Sequence, residues 1–248
     1  MTISESIFKK RAKKSSKKRT LPGRVFFFFK WIVFLLFSSS LCIVFIYKYI
    51  NPPITPLMAI RCVEQLSKGE KIILKKDWTR IEEISPNMVK AVIAAEDNLF
   101  VKHKGFDKEA IEQAIEYNKK GKKIRGGSTI SQQTAKNVFL WPSRSYIRKG
   151  LEAYFTFLIE FMWGKERIME VYLNVIETGK GIYGVEKASS IYFQKSSATL
   201  TAGQAALIAA ALPSPRRYSI TSPGPYMRSR QEQLINLMPK IETLKVGQ

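Results

Sequence analysis

The sequence contains few cysteines, histidines and acidic residues, and these shortages limit the kinds of function that the protein can have. Its 248 residues include two cysteines, Cys42 inside a long apolar stretch and Cys62 beyond it. Their different depths argue against a bridge, so no disulfide framework is expected. Twenty acidic residues stand against 41 Lys and Arg, which gives a formal charge of +21. A balance this basic indicates nucleic acid, an anionic membrane surface or a phosphorylated substrate as the partner.

One apolar run has the length of a membrane span. Residues 31–47 carry no charge, and flanking Phe and Tyr residues extend the run to 25–50. This is enough to cross a hydrocarbon core of about 30 Å. A cleaved signal peptide is the alternative, but the run is longer than a usual signal core, and Asn51-Pro52-Pro53 follows it in place of a small-residue cleavage site. The sequence therefore favours a retained anchor.

The basic residues are concentrated before this run. Residues 1–24 hold nine Lys or Arg and one acid, which predicts a cytoplasmic N-terminus and a C-terminal domain outside the membrane. After residue 50, thirty basic residues still outnumber nineteen acidic ones. A DNA-binding protein would need its folded domain in the cytoplasm, so nucleic acid is not expected as a partner. We expect four segments: a basic tail (1–24), a transmembrane helix (25–50), a stalk and entry to the domain (51–69) and a catalytic domain (70–248).

The outer domain reads as all-α, since no alternating strand pattern occurs. Capping and periodicity predict six helices. The first is opened by Ser85-Pro86 and runs through Glu96, and the second runs from Thr129 to about Phe139 with Ser128 as its cap. The others lie at about 146–162, at about 166–175, from Thr201 to Pro213 with a Thr201/Gln204 capping box, and at about 228–238.

Two glutamates fall on apolar faces of these helices. Glu96 shares a face with apolar residues at i−7, i−4 and i−3, and it is either a buried functional carboxylate or a helix-end residue that turns to water. Glu152 shares a face with two apolar residues, but Arg148 lies one turn before it, so a solvated Arg–Glu pair is the alternative. Periodicity leaves both choices open. Two carboxylates on separate helices can line a cleft for acid–base chemistry at a sugar.

The helix after Gly126-Gly127 is a candidate anion site. It presents Ser128, Thr129, Gln132, Gln133 and Lys136, and Arg144 follows a few residues later. A helix N-terminus with hydroxyls and a lysine attracts anions. The alternative is an ordinary capped helix with a polar face.

Five segments, in this order and spacing, resemble the motifs of the peptidoglycan glycosyltransferase family: EDNLFVKHKG (96–105), GGSTISQQTAKN (126–137), RKGLEAYFTFLIE (148–160), KERIMEVYLN (165–174) and GIYGVEKASSIYF (181–193). That family comprises the monofunctional biosynthetic transglycosylases and the N-terminal domains of class A penicillin-binding proteins. Thr156 and Ile159 replace the Ala and Leu expected in the third motif, and both are mild packing changes.

The resemblance implies a lysozyme-like, mostly helical domain with a small membrane-proximal lobe. It implies that Glu96 is the general base and that Glu152 assists the leaving group. Lys136 and Arg144 would neutralise a pyrophosphate in a pocket shaped by Ser128, Gln132 and Gln133. The residues expected to support the site are Asp97, Phe100, His103 and Arg148, and we favour a structural hydrogen bond over proton transfer for His103, the single histidine.

The implied reaction is glycan-strand polymerisation at the bacterial inner membrane. The growing lipid-linked chain passes with inversion to the GlcNAc 4-hydroxyl of lipid II, and undecaprenyl diphosphate leaves. No cofactor is required, although a divalent cation, Mg²⁺ or Mn²⁺, can assist departure. The implied partners are lipid II, the nascent glycan strand, the membrane and other cell-wall synthesis or division proteins.

Two other functions stay open at this point. A glycan-cleaving lysozyme or lytic transglycosylase shares the fold, and a degenerate, non-catalytic division protein would share the anchor. The chain ends about 30 residues after the motif region and has no KTG triad, so we expect the monofunctional form.

Overall fold

The computed structural model describes residues 21–119, 121, 127–143, 145–244 and 246, and the chain forms two compact units, 1–42 and 43–248. The described part of the first unit is a long apolar helix, α1 (Leu21–Tyr49), whose last turns belong to the second unit. Its segment Val25–Tyr49 has the length and apolar composition of a membrane span, with a hydropathy of 2.2. This helix fits a single-pass membrane anchor.

The second unit is built mainly from helices, as the sequence predicts. Within the described residues they are α2 (Pro56–Ser67), α3 (Pro86–Glu96), α4 (Lys108–Lys119), α5 (Ile130–Phe139), α6 (Tyr146–Met162), α7 (Lys165–Val175), α8 (Val185–Phe193), α9 (Ala202–Ala211) and α10 (Pro225–Leu237). Short 3₁₀ turns lie at Ile81–Glu83, Ser197–Thr199 and Met238–Lys240.

Most of the predicted helix ends are confirmed, and one cap is wrong. Ser85 caps α3 with Pro86 in its first turn, and Thr201 forms the expected capping box at α9. Thr129, one residue after the predicted Ser128, caps α5, because its side chain accepts from the Gln132 N–H while the Gln132 side chain accepts from the Thr129 N–H. Ser128 is thereby released from capping.

A small three-stranded sheet, absent from the sequence prediction, lies beside the helices. Its strands are β1 (Lys75–Lys76), β2 (Glu177–Gly179) and β3 (Ile182–Tyr183), in the order β1-β3-β2, with β1 parallel and β2 antiparallel to β3. Gly181 makes the β2–β3 turn at φ +69°, where a Cβ would lie 2.3 Å from the Ile73 carbonyl oxygen. Strands of two or three residues are too short to show alternation, which explains the miss.

The core centres on the alanine-rich helix α9. Seven of its ten residues are buried, and α3 and α10 pack against it. Small side chains allow these helices to approach closely. Helix α5 packs on α6 and α7 as a second helical group. The C-terminal end of α3 meets α5 between the two groups, and the candidate site lies there.

The last turn of α1 is fixed to α7. The Arg167 guanidinium donates to the carbonyl oxygens of Tyr47 at 2.8 Å and Ile50 at 3.1 Å. Trp163 Nε1 donates to the Val44 carbonyl oxygen at 2.8 Å. A cation on unpaired carbonyl groups stabilises a helix C-terminus, so this end of α1 is capped by the domain itself.

Candidate active site

Two cavities meet at Glu96. The first, of about 590 Å³, is lined by Glu96, Gln133, Lys136 and Arg148. The second, of about 570 Å³, is lined by Glu96, Asp97 and Ser128 among others. Each is in the size range of a small-ligand site. One carboxylate therefore stands where two bound substrates could approach each other.

Glu96 ends α3 and is partly buried, so it lies neither fully in the core nor simply turned to water. Gln133 Nε2 donates to its Oε2 at 2.6 Å. Burial raises the pKa of the Glu96 carboxyl, while the Gln133 hydrogen bond and the charges of Lys136 and Arg230 act in the opposite direction. A partly desolvated carboxylate with a raised pKa has the basicity that a general base requires.

Lys136 supplies a cation to the first cavity. Burial lowers the pKa of its ammonium, and the charge of Glu152 partly offsets that effect. Among the residues that the structure describes, Lys136 has no ion-pair or hydrogen-bond partner. Burying a cation without a partner costs free energy, and an anion in the cavity would compensate that cost.

Glu152 is held by two basic side chains. It is only 2% exposed, Arg148 Nη1 donates to its Oε2 at 2.7 Å, and Lys149 donates to its Oε1. The predicted Arg–Glu pair thus exists, but it is buried rather than solvated. Lys149 also donates to Ser128 Oγ at 3.2 Å, a role that sequence reasoning missed although the i,i+3 spacing to Glu152 could have indicated it.

Replacing Glu152 by alanine should destabilise the protein by about 3 kcal/mol, because it leaves Arg148 buried without a counter-charge. Denaturant unfolding of the detergent-solubilised chain measures the change. Exposed Glu232 on α10 provides a matched Glu→Ala control that should shift stability by less than about 0.5 kcal/mol. Equal stabilities for the two variants would show that the buried pair contributes nothing.

Asp97 ties the first motif to α5. Its carboxylate accepts from the Ile130 N–H at 3.0 Å and from His103 Nε2 at 2.9 Å. His103 Nδ1 accepts from the Gly105 N–H at 3.1 Å, so the proton of the neutral ring lies on Nε2. The fully buried Phe100 ring lies 4.6 Å from Lys165 Nζ. These contacts fit a supporting role for Asp97, Phe100 and His103.

The structure places the remaining predicted site residues in different surroundings. Ser128 lines the second cavity. Gln132 is 4% exposed, is engaged in the α5 capping box and lines neither cavity. Arg144 lies outside the described residues, as does most of the basic run 119–125. Arg61 and Glu177, which the sequence did not single out, also line the first cavity.

The donor set does not fit a resident divalent cation at Glu152. Its two oxygens are already engaged by Arg148 and Lys149. Over the described ranges, no group of three or more His, Cys, Asp or Glu side chains is arranged to hold a metal. Basic side chains supply the positive charge around this carboxylate.

Comparison with known proteins identifies one family. A family model described as transglycosylase matches residues 64–239. The chain is similar to proteins named biosynthetic peptidoglycan transglycosylase from Bdellovibrio bacteriovorus (56% identical over 210 residues, 84% of each chain) and Bacteroides thetaiotaomicron (52% over 212 residues, 84% of this chain and 86% of the relative). A protein of the same name from Caulobacter vibrioides is 54% identical over 200 residues, 81% of this chain and 85% of the relative.

Proposed function

The chain belongs to the transglycosylase family and is a peptidoglycan glycosyltransferase that polymerises glycan strands from lipid II; we propose that Glu96 is its general base. The observation that carries this proposal is the position of Glu96 between two cavities, with Gln133 on its carboxylate and the Lys136 ammonium, which has no partner among the described residues, lining the first cavity with it.

Glu96 would take the proton from the GlcNAc 4-hydroxyl of lipid II as that oxygen attacks C1 of the MurNAc at the end of the growing chain. The bond from C1 to the diphosphate breaks and undecaprenyl diphosphate leaves. Attack opposite the leaving group converts the α-linked diphosphate into a β-1,4 glycosidic bond. Lipid II would enter one cavity and the growing chain the other, with the reacting atoms meeting at Glu96.

The departing diphosphate accumulates negative charge, so fixed cations lower the barrier to its departure. We assign this role to Lys136 and Arg148, which line the first cavity, and to Arg144. Glu152 then acts by holding Arg148 and Lys149 in place, since both of its oxygens are engaged by them. The same cations argue against a glycan-cleaving enzyme, because a neutral glycosidic bond has no diphosphate to stabilise.

Polymerisation of fluorescent lipid II by the purified full chain tests this function. We expect long products that a muramidase digests. Release of fragments from purified sacculi, with no polymer from lipid II in several detergents, would instead support a cleaving enzyme.

We also propose the membrane topology, with residues 1–24 in the cytoplasm, 25–50 across the inner membrane and 51–69 leading to a catalytic domain (70–248) outside. The nine basic residues before the apolar helix support this orientation. In a variant lacking Cys42 and Cys62, a cysteine introduced at exposed Thr221 should react with an impermeant maleimide in spheroplasts. Labelling only after the membrane is permeabilised would indicate the opposite orientation.

A further inference from the structure

Tyr172 is a buried phenol beside the candidate base. It lies on α7, is fully buried, and its hydroxyl is 3.5 Å from Gln133 Oε1. Within the described residues this is the one hydrogen bond that the structure gives it. Burial, with the charges of Glu96 and Asp97, raises the pKa of Tyr172 well above its ordinary value. The phenol therefore keeps its proton at any working pH and can donate a hydrogen bond to an amide oxygen.

The Gln133 amide lies between this phenol and Glu96. Its Nε2 donates to Glu96 Oε2 at 2.6 Å, and its Oε1 faces Tyr172. The oxygen and nitrogen ends of an amide have nearly the same shape, so packing alone does not select one orientation. The reversed orientation would place an oxygen against the carboxylate and remove its donor. The Glu96 carboxylate can only accept and therefore favours Nε2 on its own side, and a phenol that donates to Oε1 stabilises the same orientation from the other end of the amide.

We propose that Tyr172 is a positioning residue that fixes the polarity of the Gln133 amide and so keeps a hydrogen-bond donor on Glu96. Tyr172 acts through Gln133 and need not touch either substrate. The inference rests on the proposed role of Glu96 as general base, and it names the residue that maintains that base in its charged form.

The other charged groups that act on Glu96 come from several elements. Lys136 on α5 and Arg230 on α10 favour its charged form, and neighbouring Asp97 opposes it. Glu152 on α6 acts on Lys136 and so reaches Glu96 indirectly. Helix α9, which packs on α3, contributes no titratable side chain. Replacing Tyr172 by phenylalanine leaves all of these charges in place, so a change in pH dependence reports on the amide.

Tyr172→Phe should lower kcat/KM for lipid II polymerisation about five-fold on the acidic limb of the pH–rate profile, the effect of losing one hydrogen bond worth about 1 kcal/mol. The sign of the pH effect follows from the donor. Without it the charged carboxylate is less stabilised, so the pKa of Glu96 rises and the acidic limb of the pH–rate profile moves to higher pH. Activity should approach that of the wild type on the alkaline side.

Gln133→Ala removes the donor itself and should shift the limb in the same direction by more. Adding Tyr172→Phe to Gln133→Ala should then have no further effect, since the amide through which Tyr172 acts is gone. Tyr183→Phe is the matched control: Tyr183 is also fully buried, and its hydroxyl has no hydrogen-bond partner in the described structure. Its removal should leave the profile unchanged.

A Tyr172→Phe enzyme with lowered stability and an unchanged acidic limb would overturn the proposal, as would additive effects in the double variant. If the phenylalanine variant folds poorly, site-specific 4-aminophenylalanine at position 172 supplies an N–H donor in the same place. It should restore the wild-type limb, and a limb shifted as in Gln133→Ala would contradict the proposal. Polymer formation by the wild type, abolished in Glu96→Gln, tests the proposed function separately.

Discussion

Polymerisation of lipid II should fall by about three orders of magnitude when Glu96 is replaced by glutamine, which is within the range attributed to a positioned general base. Glutamine has nearly the same shape and can still accept the hydrogen bond from Gln133, so the cavities should keep their form. Lipid II binding should therefore change by only a few-fold while kcat collapses. Steady-state polymerisation kinetics, with binding measured on the same preparations, check both statements.

The pH dependence gives an independent check on Glu96. A general base must be deprotonated, and burial raises the pKa of this carboxyl. The wild-type rate should rise as pH passes through that raised pKa, and the glutamine variant should lose this limb. Glu232→Gln, an exposed change on α10, serves as the control with wild-type kinetics. Retention of a tenth or more of the activity in Glu96→Gln would exclude Glu96 as the base.

Replacing Lys136 by methionine should lower kcat by about 10²-fold, because a preorganised cation at a developing diphosphate is lost. The same change should raise the free energy of unfolding by about 1 kcal/mol, since methionine keeps the aliphatic stem and removes a partly buried ammonium that has no partner in the described part of the chain. Opposite effects on activity and stability are expected of a residue kept for chemistry. Polymerisation assays and thermal unfolding of the same protein measure the two.

The stability gain has a defined pH window. A lowered lysine pKa means that the folded state penalises the protonated form, so the gain is complete below the folded-state pKa of Lys136 and shrinks as pH rises past it. Exposed Lys240→Met is the matched control and should change neither quantity appreciably. A Lys136→Met enzyme that is less stable than the wild type would mean that the ammonium has a structural role.

The helices could be predicted where their signals are local. Ser85-Pro86 and Thr201 with Gln204 mark helix starts by side chains that bond to their own backbone, and both starts are confirmed. Helix α2 was missed because a proline-rich segment leads into it, and Pro56 stands in its first turn rather than in a stalk.

The site was harder to predict, since its contacts join distant segments. Periodicity placed Glu96 on an apolar face but could not say whether α3 ends in water or against another helix. The answer depends on Gln133, which lies 37 residues away along the chain. No local sequence signal singles out Tyr172 either, because its hydroxyl meets an amide contributed by another helix. The pairing of Lys149 with Glu152 is local, but its second contact, with Ser128, joins residues 21 positions apart.

The Asp97 carboxylate also has a consequence for how the chain closes on itself. By accepting from the Ile130 N–H, it joins two points 33 residues apart, one next to Glu96 and the other at the start of the helix that carries Gln133 and Lys136. The entropy of closing a loop grows only with the logarithm of its length. The Asp97–Ile130 hydrogen bond therefore sets the spacing between Glu96 and Lys136. Changes in the length of the chain around exposed Gly121 should leave that spacing unchanged.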